Sequence, residues 1–281
     1  MPHPHTDTQR NTTMKSTHLS LIALATTVVA ASAHAAPLQN GSFGAGLSNW
    51  STIGDVAVTT SVTGYNFGNT ATLVLGTASK TAQDDVPADA GAYNVSGNSP
   101  VLTGQTNGAE ANLGLSTTAF YPDPSSNAAY DASSAAQSFF LNAGDTISFT
   151  WRVLSRDSFA GSGDTFSDTA WLAFSLAANP QQAATVTQTK LGDIGTLAFA
   201  SSSDGWQVTG PNTFSFTSAT GGTARLGWGV ADLGDATGTT LLAIQNVQVT
   251  GVAPAVPEPA SVALMLAALG VIGLSTLRRR G

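Results

Sequence analysis

Asp145-Thr146-Ile147-Ser148-Phe149-Thr150-Trp151-Arg152-Val153 alternates apolar and polar residues after its opening turn residue. Successive side chains of a β-strand point to opposite faces, so this period of two predicts one strand with Ile147, Phe149, Trp151 and Val153 on a single face. Ala143-Gly144-Asp145 is turn chemistry, and Ala136 to Leu141 supplies an apolar stretch before it, so the two read as a β-hairpin. The pattern recurs in Ala170 to Leu176, where Leu172, Phe174 and Leu176 share a face, in Phe214 with Phe216, and in Leu226, Trp228 and Val230. Between Leu241 and Thr250 the phase changes from Leu242 and Ile244 to Val247 and Val249, which predicts a β-bulge near Gln245-Asn246. Val56 with Val58, Thr70 to Leu75, and Leu113 with Leu115 give weaker strands.

Many short strands between Gly, Asn and Ser turns, with no long helical period, predict an all-β antiparallel β-sandwich. Residues 82–106 and 121–127 read as surface loops. No internal repeat is present to support a propeller or solenoid.

Both flanks of this region differ from it. Residues 1–13 are polar and precede a second methionine, and they read as an extension outside the folded protein. Residues 14–35 have the layout of a secretory signal peptide: Lys15 and His18, an apolar core from Leu19 to Ala31, and small residues at Ala33-His34-Ala35. Residues 36–253 form the cargo domain, and 254–281 a distinct tail. In the tail, Pro257-Glu258-Pro259 precedes an uncharged run from Ser261 to Leu277, long enough to cross a bilayer as one transmembrane helix. Arg278, Arg279 and Arg280 then suit the cytoplasmic headgroups.

The tail resembles the PEP-CTERM sorting signal of Gram-negative bacteria that make exopolysaccharide. The resemblance rests on Pro257, Glu258 and Pro259, the apolar run, and Arg278, Arg279 and Arg280, in the family's order. It implies that an exosortase-type membrane protease removes the tail after transient anchoring in the inner membrane, leaving the protein at the cell surface or outside the cell.

The composition excludes several kinds of chemistry. The chain has no cysteine, which removes disulfides and thiolate sites. His3, His5, His18 and His34 all precede the expected cleavage site, so the mature span lacks histidine for triads, general bases or metal ligation. Setting aside Asp7 and Glu258, and then Arg10, Lys15 and the three terminal arginines, leaves 15 acids and 5 bases, a net charge of −10. Nucleic acid is excluded as a partner because phosphate binding needs a basic face, and anionic polysaccharide is repelled unless divalent cations bridge the charges.

A second resemblance lies in Asn40-Gly41-Ser42-Phe43, Gly46-Leu47-Ser48-Asn49-Trp50 and Leu241-Leu242-Ala243-Ile244-Gln245-Asn246-Val247. These look like the opening and closing strands of galactose-binding-like jelly rolls, a fold found in carbohydrate-binding modules and in cargo proteins with the same tail. The family brings its first and last strands together, and several members hold calcium near the opening motif and a closing aspartate. This chain departs at both positions, with Gly44 and Gln245 where acids are usual.

Three groups of residues carry candidate chemistry. Asp157, Asp164 and Asp168 lie in an oxygen-rich loop of the kind that suits a structural calcium, though their spacing is not that of an EF-hand; otherwise they are turn-forming, solubilising residues. No other cofactor is expected. Asp232 and Asp235 are close enough in sequence to form an acid/base pair but lie in what reads as an ordinary turn, so the expectation is a non-enzymatic protein. Among the aromatic residues, Trp151 and Trp228 are in phase with the core. Trp171, out of phase with Leu172, and Tyr93 and Tyr121, in loops, are the candidate glycan contacts. The chain therefore reads as an exported, exopolysaccharide-associated surface or matrix component. A discrete carbohydrate-binding module is the alternative, and a carboxylate-dependent hydrolase the remaining reading.

Overall fold

Alternation at 145–153 becomes the strand Thr146–Ser155, and its apolar phase lies in the core, with Ile147, Phe149, Trp151 and Val153 all buried. The computed structural model describes residues 37–80, 92–120, 129–158, 160–163, 167–178, 184–233 and 238–251, apart from the side chains of 201–203. The extension 1–13, the signal peptide 14–35 and the tail 254–281 with its sorting residues lie outside the described residues, as do Tyr121, Asp164 and Asp235. Among the described residues no helix is long and apolar enough to cross a membrane.

In chain order the strands are β1 (Ser51–Ile53), β2 (Asp55–Thr59), β3 (Ser61–Val62), β4 (Tyr65–Asn66), β5 (Thr72–Gly76) and β6 (Val101–Leu102). The one short helix described, α1 (Ala109–Asn112), follows. Then come β7 (Ala129–Leu141), β8 (Thr146–Ser155), β9 (Thr169–Ala177), β10 (Val186–Asp193), β11 (Phe199–Ser203), β12 (Trp206–Thr209), β13 (Asn212–Thr217), β14 (Gly222–Leu233) and β15 (Thr240–Thr250).

They form two large antiparallel sheets. The first runs β1-β7-β14-β9-β10, with β6 also on β7; the second runs β11-β12-β8-β15-β5-β2, with β13 also on β8. Inward residues of both meet in one core: Leu73, Leu75, Phe149, Trp151, Leu242 and Ile244 from the second sheet face Phe139, Leu141, Leu172, Leu226, Trp228 and Val230 from the first. An aromatic chain threads it, from Phe43 to Trp50 (5.5 Å), Trp50 to Trp228 (5.3 Å) and Trp228 to Phe149 (5.1 Å).

The register of β15 against β8 shifts between Gln245 and Gln248, and Asn246 sits at φ 54. This bulge returns Val247 and Val249 to the core side occupied by Leu242 and Ile244.

Two local expectations are corrected. Ala136–Leu141 and the strand after it are not a hairpin: β7 pairs β14 and β1 in one sheet, β8 pairs β15 in the other. The turn between them carries the chain across the core, where Leu141 and Ile147 both insert. Leu113 follows α1 rather than lying in a strand, and with Phe120 it covers the outer face of the first sheet. Gly227 and Gly229 make this possible, since a Cβ at either would lie 2.6 Å from Leu113 or 2.7 Å from Phe120.

The outer face of the second sheet is also covered. Val74, Leu154, Leu241 and Ala243 lie beneath Phe67, Trp206, Val62, Tyr65, Tyr93 and Val95, which belong to β12, the β3–β4 hairpin and neighbouring loop segments.

Candidate functional site

A loop carrying Tyr93 is held on that outer face by a carboxylate reaching it from β2. Asp55, fully buried, accepts from the backbone N–H groups of Val95 (3.0 Å) and Ser96 (2.7 Å) and from the Ser96 hydroxyl (2.7 Å). Burial pushes its pKa up, and the hydrogen bonds from Ser96 and Val95 oppose that rise. Asn94 fixes the loop further, donating to the carbonyls of Ala78 (2.8 Å) and Asn98 (2.6 Å).

The hairpin closes against this loop. The Thr63 hydroxyl donates to the Ala92 carbonyl (2.9 Å), and the Trp206 indole donates to the Thr63 carbonyl (2.7 Å). Tyr93 stands edge-on to Trp206 at 5.3 Å, and the Arg156 guanidinium lies 4.3 Å from the Tyr93 ring centroid and 5.6 Å from that of Trp206. Arg156 also donates to the Asp204 carbonyl (2.5 Å). Gly205, at φ +86, leaves it room, because a Cβ there would come within 2.5 Å of Nη1.

Between hairpin and loop lies an open pocket of about 370 Å³. Thr59, Ser61, Thr63 and Asn94 supply its polar lining, Tyr93 its aromatic surface, and Val62, Ala92 and Val95 complete it. Among the described residues no carboxylate lines it. Neutral donors and acceptors beside a ring braced by a cation suit an uncharged, polyhydroxylated ligand and offer no acid/base pair.

Trp171 is elsewhere. It is half-buried on the outer face of the first sheet, stacked on Phe120 with centroids 6.2 Å apart, and its indole nitrogen is buried without a hydrogen-bond partner. Tyr93 and Trp171 therefore belong to different sheets. Trp151 and Trp228 are buried, in keeping with their strand phase.

Asp157 and Asp168, two of the loop aspartates, are buried rather than solvating. Asp157 and Asp168 lie within electrostatic reach of each other, and Asp232 joins them from the end of β14. Asp168 is pushed up to about 8, first by burial and then by the Asp157 charge, against hydrogen bonding from Thr240, Leu233 and Asp232. Its Oδ1 accepts from Leu233 N–H (3.1 Å), while its Oδ2 meets no partner. Burial beside Asp157 favours the protonated form of Asp168. Among the described residues no three His, Cys, Asp or Glu side chains gather as a group that could hold a metal.

Sequence reasoning singled out Tyr93 but missed its neighbours Asp55, Arg156 and Trp206. Arg156 and Trp206 lie far from Tyr93 in sequence, and no local pattern links them to it.

Residues 255–280 match the PEP-CTERM protein-sorting motif, the substrate signal of exosortases, which marks an exported, surface-directed protein. No curated protein matches the chain. Solved structures similar to it include the enzymatically active domain of tailspike protein 4 from bacteriophage CBA120, at 11% identity and a TM-score of 0.35, over 76% of this chain and 21% of that one. The chain thus spans about a fifth of that protein. Another is TmCBM61 in complex with beta-1,4-galactotriose, at 10% identity and a TM-score of 0.34, over 76% and 97% of the two chains. A third is the K3 adhesin domain of Lys-gingipain from Porphyromonas gingivalis w83, at 12% identity and a TM-score of 0.35, over 77% and 99%.

Proposed function

We propose that this is a cell-surface or extracellular-matrix protein, held transiently in the inner membrane, released by an exosortase-type protease, and associated without catalysis with exopolysaccharide. The Tyr93 pocket is the site of that association. The observation that carries this reading is the lining by described residues: three hydroxyl side chains, one amide and one braced aromatic ring. With a mature charge of −10, the ligand is a neutral glycan or a neutral stretch of one.

The strand order supports a jelly roll. Along the chain, β5, β8, β13 and β15 fall in one sheet and β7, β9, β10 and β14 in the other, with orders β5-β15-β8-β13 and β7-β14-β9-β10. That is the arrangement of two interlocked Greek keys.

The test is binding of the secreted, processed protein to exopolysaccharide and to defined neutral oligosaccharides by calorimetry. Tyr93→Ala should abolish binding and Trp171→Ala should leave it intact; the reverse would move the site to the first sheet. Saturable binding to one defined oligosaccharide would favour a discrete carbohydrate-binding module, a reading that the aromatic and hydroxyl lining of the pocket supports. Release of reducing sugar, lost in Asp232→Asn or Asp235→Asn without unfolding, would instead establish a hydrolase.

A further inference from the structure

The sandwich has two chemically different ends. β15 and β8 run antiparallel, with Thr250 opposite Thr146 at one end and Thr240 opposite Ser155 at the other. At the Thr250 end the chain leaves through Gly251, beside the turn 142–145. That turn is joined to the next by the Gly144 N–H donating to the Ser218 carbonyl (2.7 Å) and the Ser218 N–H donating to the Asp145 carbonyl (2.8 Å).

The N-terminal segment comes to the same half. Val247 N–H donates to the Gly41 carbonyl (3.1 Å), and Gln39 exchanges two hydrogen bonds with Gln137, close to the Leu141 end of β7.

Charge divides the same way. Residues 142–144 and 217–221 are uncharged, and Asp145 is buried with a carboxylate oxygen accepting from Asn142. Asp55, Asp131, Asp157, Asp168, Asp193 and Asp232 all belong to the opposite half, at or just beyond the other strand ends. Arg156, which braces Tyr93, follows β8 at that opposite end.

Pro257 stands six residues past Gly251, so the sorting motif begins at most about 20 Å from the domain. A bilayer carrying anionic lipids repels carboxylates within a Debye length of its surface and tolerates neutral turns there. We propose that the uncharged end built from turns 142–145 and 217–221 around Gly251 rests on the anionic bilayer surface while the tail is attached, so that Tyr93 and Arg156, on the outer face of the second sheet, stand in the half of the domain away from the membrane. This inference rests on the reading of the tail as a membrane anchor.

The absence of cysteine allows single-cysteine reporters at two exposed turn positions, Ala219→Cys at the Gly251 end and Ser158→Cys beyond β8. They are separated by roughly the length of β8, about 30 Å. The full-length chain, kept uncleaved in a host lacking exosortase, is labelled with a donor fluorophore and reconstituted into vesicles of phosphatidylethanolamine and phosphatidylglycerol bearing a headgroup acceptor. Energy transfer several-fold stronger from position 219 than from 158 is the expected result. Equal or reversed transfer in protein that sediments with the vesicles overturns the orientation and leaves the anchor reading intact. Protein that fails to sediment overturns both.

Discussion

Replacing Asp168 with Asn should remove a pH dependence from the stability of the domain. In the fold burial first, and the Asp157 charge second, push Asp168 up to about 8 from the ordinary carboxylate value of 3.8. The folded state therefore keeps a proton that the unfolded chain releases over this interval. Stability from this group is complete below the unfolded pKa and is lost as pH rises through the folded one. The slope is about 1.4 kcal/mol per pH unit while only the folded state is protonated, so wild type loses on the order of 4 kcal/mol between about pH 4 and pH 7 from Asp168 alone. Asn places an amide where the neutral acid stands and keeps an oxygen to accept from Leu233 N–H, so the variant should lack that slope. Asp55, raised in the same direction, is common to both proteins and cancels from the comparison. Urea unfolding followed by tryptophan fluorescence, at intervals across this pH range, measures the difference. Parallel stability profiles for wild type and variant would refute the reasoning, because they would mean that Asp168 folds with its charge.

Trp228→Ala, which empties the centre of the aromatic chain, should cost about 3–5 kcal/mol in denaturant unfolding. Gly205→Ala combines a positive φ with a Cβ 2.5 Å from Arg156, so it should lose about 1–2 kcal/mol of stability and weaken glycan binding by displacing the cation from Tyr93. Thermal melts in calcium and in chelator test the calcium expectation for Asp157, Asp164 and Asp168. A proton held on Asp168 competes with a cation there and predicts equal Tm values at neutral pH, and a calcium-dependent rise abolished by Asp157→Asn would establish a metal site instead.

The sandwich was legible because its strands obey a period of two wherever one face is buried, and the phase change after Ile244 even located the bulge at Asn246. Sheet membership was less legible. Ala136–Leu141 and Thr146–Val153 have the pattern of a hairpin, but a short turn joins strands across a core as readily as within a sheet. The distinction lies in partners such as Gly222 and Thr250 that are distant in sequence. The same holds for the pocket. Tyr93 reads as a loop aromatic, and what makes it part of a site is the bond network from Asp55 and the approach of Arg156 from the end of β8. The aspartate loop misled in the other direction, because carboxylates typical of exposed turns are here enclosed against β14 and β15.

The position of β15 sets a timetable for folding. It lies between β8 and β5, so without it the second sheet is two separate pieces, one holding β5 and β2, the other β8 with its companions. It is also the last of the described strands in chain order, so it is made after all the others. The second sheet, and with it the shared core, is therefore complete only when residues 240–250 join it, after every other described strand has been made.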